Sequence, residues 1–338
     1  MKLKYLFIII IVIFVFEIII RNITPVINKS DEVLGWRLLP NLNVEMSQKS
    51  LTGKKYEVKF ITNSRGSRFY GKEENSDVKI LIMGDSMTNG PYASNDKMWF
   101  SIFGKKLESL LNKKVYLEVI GSGGYGTLQQ YLLSKKIKKN FDPDFLIIQF
   151  CDNDFYNNTY EWESIGITRN QYVRRPYILN DNIFYYSGYL KYFYKSYFFE
   201  NFRTLNRADL LFTVIQSLIL HFVFNQSPGM SYVDDDKNIL NLQKKSIQNT
   251  DLILSKIKEE FYNKDIYIFN LCDFNNKYPF NTWKKISKKN DLIVLDFFND
   301  MSFNEESYYK DTRHFNNNGN LEIGNKLFNK IIEIGKIK

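Results

Sequence analysis

The sequence is poor in the side chains that bind metals and staple small folds. Its 338 residues hold two cysteines, Cys151 and Cys272, and two histidines, His221 and His314. Two cysteines exclude a disulfide framework and any multi-cysteine zinc site. Two histidines exclude sites built from several imidazole ligands. Each cysteine directly follows a short apolar run, and side-by-side strand ends rarely meet disulfide geometry, so two buried free thiols are expected. A one-signed charge field is also missing. The 46 Lys and Arg stand against 37 Asp and Glu, scattered along the chain, for a net charge of +9. No basic stripe or nucleic-acid signature accompanies it, so nucleic acid is not an expected partner. A solvated basic surface facing anionic lipid or glycan fits better. What the chain has in excess is aromatic residues, with 23 Tyr and 28 Phe. At 44% apolar and 25% charged it is globular in bulk, and its length suits one sizeable core.

One long apolar run stands at the N-terminus. Tyr5 to Ile20 reads YLFIIIIVIFVFEIII, sixteen positions interrupted only by Glu17. As a helix it is roughly 24 Å long at about 1.5 Å per residue, and Lys4 and Arg21 can snorkel at its ends. Lys2 and Lys4 precede it, which favours a cytoplasmic N-terminus. No small-x-small cleavage site follows. Residues 1–25 are therefore expected to be an uncleaved single-pass membrane anchor, with everything after it outside the cytoplasm.

Residues 26–77 are extended and turn-rich and read as a small β appendage. A different rhythm begins at 78. VKILIMG (78–84), VYLEVI (115–120), FLIIQF (145–150), IYIFNL (266–271) and LIVLDF (292–297) are short apolar runs rich in Ile, Val, Leu and Phe. Near-continuous apolarity of that length suits strands buried on both faces. Helical patterns separate them at about 97–112, 127–139, 238–262 and 280–288, and a last helix closes the chain at 317–335. The alternation predicts an α/β, doubly wound, five-stranded parallel sheet; if its order is 2-1-3-4-5, the third and fourth strands are neighbours. Such sheets place their sites beyond the C-terminal ends of the strands.

The residues at those ends form a parts list. After the first strand comes Gly84-Asp85-Ser86-Met87-Thr88, where a serine on a tight strand-to-helix turn presents its hydroxyl at the sheet edge. After the second comes Gly121-Ser122-Gly123-Gly124-Tyr125-Gly126, whose glycines let backbone N–H groups approach a reacting oxygen. After the third comes Cys151-Asp152-Asn153-Asp154, with an amide that can donate another hydrogen bond. After the fifth comes Asp311-Thr312-Arg313-His314, spaced so that a carboxylate can hold the imidazole in one tautomer. A nucleophile, oxyanion donors, a base and an orienter are the components of acyl transfer.

In that order these blocks resemble the SGNH (GDSL) hydrolase family of esterases and lipases over roughly 78–335. The resemblance implies the flavodoxin-like SGNH hydrolase fold. It implies Ser86 as nucleophile, His314 as base and Asp311 as its orienter. It implies an oxyanion hole from the N–H groups of Ser86 and Gly124 and the Asn153 side chain, with no cofactor and no metal. Cys151 departs from the glycine usual at its position. The stretch from Gly35-Trp36 through Pro40-Asn41 to Asn63-Ser64-Arg65-Gly66 is similar to membrane-anchored bacterial members.

Within 78–338 a long insertion occupies about 155–237. Phe184 to Phe202 carries eleven aromatics in nineteen positions, and Ala208 to Phe224 is an apolar helix candidate containing His221. Two readings stand for 184–224: an extra layer packed on the sheet, with His221 a packed helix residue, or a membrane-facing lid. The expected function is an extracytoplasmic serine ester hydrolase acting on an acylated cell-envelope glycan or lipid. The alternatives are an O-acyltransferase in envelope polysaccharide modification and an inactive binding or scaffold protein.

Overall fold

In the computed structural model the described residues are 2–23, 25–165, 175–186, 236–272, 281–311 and 313–335. The chain begins with helix α1 (Lys2–Ile23). Five strands follow: β1 (Asn28–Asp31), β2 (Gly35–Leu38), β3 (Asn43–Lys49), β4 (Lys55–Ile61) and β5 (Arg68–Tyr70). Then come β6 (Val78–Gly84), α2 (Ser86–Asn89), α3 (Trp99–Leu111), β7 (Val115–Gly121), α4 (Thr127–Lys138), β8 (Phe145–Phe150), α5 (Asn153–Asn157) and α6 (Tyr160–Ile165). A hairpin of β9 (Arg175–Leu179) and β10 (Asn182–Tyr186) precedes α7 (Asp236–Glu260), β11 (Asp265–Asn270), α8 (Thr282–Lys289), β12 (Ile293–Val294) and α9 (Asn317–Ile334).

The apolar runs become the central sheet, in the order β12-β11-β8-β6-β7-β5. The first five strands of that order are mutually parallel, and their alternating side chains feed two cores. Leu81, Met83, Leu146, Ile148, Ile266 and Ile268 pack with α4, α7 and α8. Ile80, Ile82, Leu117, Ile147 and Phe269 face the other way onto α3 and α9, against Trp99, Phe103, Ile323 and Leu327. Burial on both faces explains why these strands show no polar alternation.

The sheet has six strands where the sequence suggests five. β5, from the segment read as an appendage, pairs antiparallel with β7 through Arg68↔Val119, Phe69↔Glu118 and Tyr70↔Leu117. It covers backbone groups that β7 would otherwise present as an open edge. The same segment neutralises Glu118, buried in the middle of β7. Arg65 bonds its carboxylate at 2.6 and 3.1 Å, and Tyr116 and Asn63 donate to it as well. The two-residue β12 is shorter than the apolar run 292–297, because the chain leaves the sheet after Val294.

Two further expectations are corrected. The N-terminal run forms α1, with Phe7, Ile10, Val12 and Phe14 exposed. Among the described residues, however, no helix is long and apolar enough to cross a membrane. The cysteines are not free: Cys151 and Cys272 form a disulfide with a Cα–Cα distance of 4.8 Å. The strands end in register at Phe150↔Asn270. The Asn270 side chain then accepts from Cys272 N and donates to Asp152. This turn draws Cys272 beside Cys151 instead of leaving it on the opposite face. Most of the aromatic stretch 184–224, including His221, lies outside the described residues, and so do both readings of it.

The disulfide closes a loop of 121 positions, so it constrains the unfolded chain strongly. Replacing both cysteines with alanine should lower stability by on the order of 2–5 kcal/mol. Denaturant melts of the two proteins measure this. Equal midpoints, with and without reductant, would show that the bond contributes nothing.

Candidate active site

The ends of β6, β7 and β8 are level, with Gly84 opposite Gly121 and Met83 opposite Ile148. Three loops therefore leave the sheet side by side. At the end of β6 the chain must turn at once into α2. A Cβ on Gly84 would collide with Thr88 Oγ1 and Gln149 Oε1, so only glycine fits. Gln149, buried in β8, accepts from Thr88 Oγ1 at 2.8 Å and from Asp85 N at 3.2 Å. Asp85 caps α2 by accepting from Met87 N at 2.9 Å. This leaves Ser86 at the first position of the helix, half-buried, with its hydroxyl at the sheet edge.

His314 arrives from the other end of the chain. Its Nε2 lies 2.9 Å from Ser86 Oγ, and its Nδ1 lies 2.5 Å from Asp311 Oδ2. Asp311 also accepts the backbone N–H groups of Arg313 and His314 at 3.0 Å each, so the loop closes around its own carboxylate. Burial raises the Asp311 carboxyl, but the hydrogen bonds from His314 and the two backbone amides outweigh it and bring it down to about 2. Tyr92 packs on the imidazole with ring centroids 4.8 Å apart and stacks on Tyr309 at 4.0 Å. The His314 ring is thus held at both nitrogens and on one face.

Asn153 stands at the start of α5, half-buried, and near enough to the buried Asp85 carboxyl to favour its charged form. Asp154, its neighbour, is fully buried, accepting from Cys151 N at 3.0 Å and Gln130 Nε2 at 3.2 Å. Burial pushes the Asp85 and Asp154 carboxyls up, Asp154 the further, and the negative charge of Asp85 adds to the rise at Asp154. One Asp85 oxygen and both disulfide sulfurs lie within 4.8 Å of one another. The sulfurs are bonded to each other and so offer no thiolate to a metal.

Gly124 has φ +77°, a backbone state that favours glycine. Its carbonyl accepts from Asn157 Nδ2 at 2.9 Å and Arg175 Nη2 at 2.7 Å. Arg175, buried on β9, also binds Glu163 Oε1 at 2.7 Å and Gln129 Oε1 at 2.8 Å. Trp36 on β2 donates its indole N–H to Gly123 O at 3.1 Å. The motif blocks identify Ser86, Gly124, Asn153, Asp311 and His314. They do not name Tyr92, Asn157, Arg175 or Tyr309, and Trp36 falls only within the stretch from Gly35 to Gly66, where no role attaches to it. Chemically, the arrangement offers a hydroxyl paired with an oriented imidazole, beside backbone and amide donors.

The chain matches the family described as GDSL-like Lipase/Acylhydrolase over residues 80–327. No curated protein matches it in sequence. Among solved structures it is similar to the psychrotrophic esterase EstA from Pseudoalteromonas sp., with 11% identity, 76% of this chain and 98% of that chain covered, and a TM-score of 0.44. It is also similar to the lipase Lip_vut3 from a goat rumen metagenome, with 16% identity, coverage of 75% and 97%, and a TM-score of 0.39. A family 3 carbohydrate esterase of Clostridium thermocellum gives 10% identity, coverage of 76% and 96%, and a TM-score of 0.39.

The lowered Asp311 carboxyl makes stability depend on acid. An unfolded aspartate titrates near ~3.9 and the folded one near about 2. The contribution is therefore complete above about pH 4 and is lost as pH falls through about 2. In Asp311→Asn this dependence should vanish, so the wild type should lose stability relative to the variant across that window. Denaturant midpoints taken from about pH 2 to 5 read the difference. Parallel curves would contradict the assignment.

Proposed function

The chain belongs to the GDSL-like lipase/acylhydrolase family and is an ester-hydrolysing enzyme; from that premise we propose that Ser86, His314 and Asp311 form its catalytic triad. The observation that carries this reading is the continuous chain of contacts Ser86 Oγ, His314 Nε2, His314 Nδ1, Asp311 Oδ2. Ser86 Oγ attacks the acyl carbon while His314 Nε2 takes its proton. Asp311 keeps the proton-bearing Nδ1 aimed and stabilises the imidazolium. The developing oxyanion is received by the N–H groups of Ser86 and Gly124 and by the Asn153 amide. His314 then hands its proton to the leaving alcohol. Water, deprotonated by the same imidazole, hydrolyses the acyl-serine, and Ser86 regains its proton.

For the substrate we propose an acylated glycan or lipid of the cell envelope, reached from outside the cytoplasm. Three observations support this. The Cys151–Cys272 disulfide suits an oxidising compartment. The exposed apolar side chains of α1 suit attachment to a lipid surface. Four residues separate the end of α1 from Asn28, whose side chain meets Ser122 in the glycine-rich loop at 3.2 Å. The five steps from Ile23 to Asn28 reach no further than about 18 Å, so whatever holds α1 lies within that reach of the glycine-rich loop.

Ser86→Ala should abolish cleavage of nitrophenyl esters and labelling by a fluorophosphonate, and His314→Ala should lower kcat by on the order of 10³-fold or more. Asn153→Ala should cost about 10²–10³ in kcat with little change in KM. An ester panel from acetyl to palmitoyl, with sugar acceptors present and absent, tests substrate class and separates hydrolysis from transfer. Full activity in His314→Ala would remove the triad. A reporter active only outside the cytoplasm, fused after Lys338, should be active; a silent reporter would overturn the proposed location.

A further inference from the structure

The Gly124 N–H, as an oxyanion donor, is only as good as the direction in which it points. That direction belongs to the Gly123–Gly124 peptide, which is planar and trans, so its N–H and its C=O point opposite ways. Glycine on both sides leaves little steric reason to keep one orientation. Gly123 is exposed with nothing within 4 Å of a Cβ position, and Gly124 has φ +77°. Glycine populates both signs of φ almost equally, so this peptide can turn over unless something holds it.

We infer that Trp36 is a positioning residue for acyl transfer: its indole N–H, bonded to the Gly123 carbonyl, aims the Gly124 N–H at the oxyanion. This rests on the reading of the site proposed above. Nε1 of Trp36 donates to Gly123 O at 3.1 Å. The ring is itself held. Tyr125 packs edge-on against it at 5.7 Å and donates its hydroxyl to the Trp36 carbonyl. The buried guanidinium of Arg175 lies 5.4 Å from the ring centroid. Beneath the ring, Gln129 Nε2 donates to Leu34 O at 2.6 Å, tying the β1–β2 hairpin to α4. The next peptide is clamped separately, with the Gly124 carbonyl accepting from Asn157 and Arg175. Both peptides flanking the Gly124 α-carbon are therefore fixed by side chains from outside the loop.

Trp36 lies before residue 80, outside the span that matches the family. The donor that orients it thus comes from a segment outside that match, and the hairpin that carries it begins only a few residues after α1.

The test is Trp36→Phe in the full chain, assayed with p-nitrophenyl acetate beside wild type and Ser86→Ala. Phenylalanine keeps an aromatic ring and removes the donor. The expected result is a fall in kcat of about 10- to 10²-fold, approaching the loss of one oxyanion donor. KM, the pH profile of kcat/KM and the thermal midpoint should stay where they are. A merely structural role would move the midpoint or KM, and a disturbed triad would move the pH profile; any of those patterns overturns the inference. So does wild-type kcat in Trp36→Phe. An inactive wild type, or an active Ser86→Ala, would instead overturn the reading of the site itself.

Discussion

The hydrogen bond between Ser86 and His314 joins positions 228 residues apart, and most of the architecture serves to make it possible. The serine is placed by the first parallel strand and the histidine by the loop before the last helix. Neither is near the other until the sheet is complete and α9 has packed on α3. Gly84 and Gln149 then set the angle at which Ser86 leaves the sheet. Asp311, Tyr92 and Tyr309 set the plane of the imidazole. A hydroxyl is a poor nucleophile without an adjacent base, so the chemistry depends on this long-range contact more than on any single side chain.

The segments outside the core are not passive attachments. Arg65 neutralises Glu118 inside the sheet, since a lone buried carboxylate would be costly. Arg68, buried on β5, donates to the carbonyls of Asn89, Gly90 and Ala93, satisfying the loop that follows the serine. Arg175, from the hairpin β9–β10, reaches the other side of the site and binds the carbonyl of Gly124. Three arginines from outside the α/β repeat, Arg68 and Arg175 buried and Arg65 half-buried, thus hold polar backbone or side-chain groups that the repeat leaves unsatisfied. An Arg fork suits this role because it presents several donors in one rigid plane.

Around Asn153 the constraint is burial. Two carboxyls, Asp85 and Asp154, flank it out of contact with water, and both are pushed up by desolvation. The disulfide lies beside them and ties the ends of β8 and β11. The cysteine at position 151, where the related motif usually carries glycine, therefore has a structural partner, and the loop bearing Asn153 is anchored covalently at its base.

Much of this was legible along the chain. Doubly buried strands must be continuously apolar, so the runs that become the parallel strands were readable, and the helices between them showed their period. The residues at the strand ends could be named because this fold places its chemistry there, whatever the loops contain. Other features depended on contacts between distant segments. The sixth strand and the disulfide turn on an open sheet edge and an Asx turn at Asn270. Arg175 has no motif, and the stretch that includes Trp36 assigns it no role. Their roles arise only when a hairpin and a loop, far apart in sequence, close on the same pair of glycines. Periodicity and motif spacing are local properties that a sequence carries directly. Which side chain satisfies which carbonyl is a property of three-dimensional packing, and here only the tertiary structure decided it.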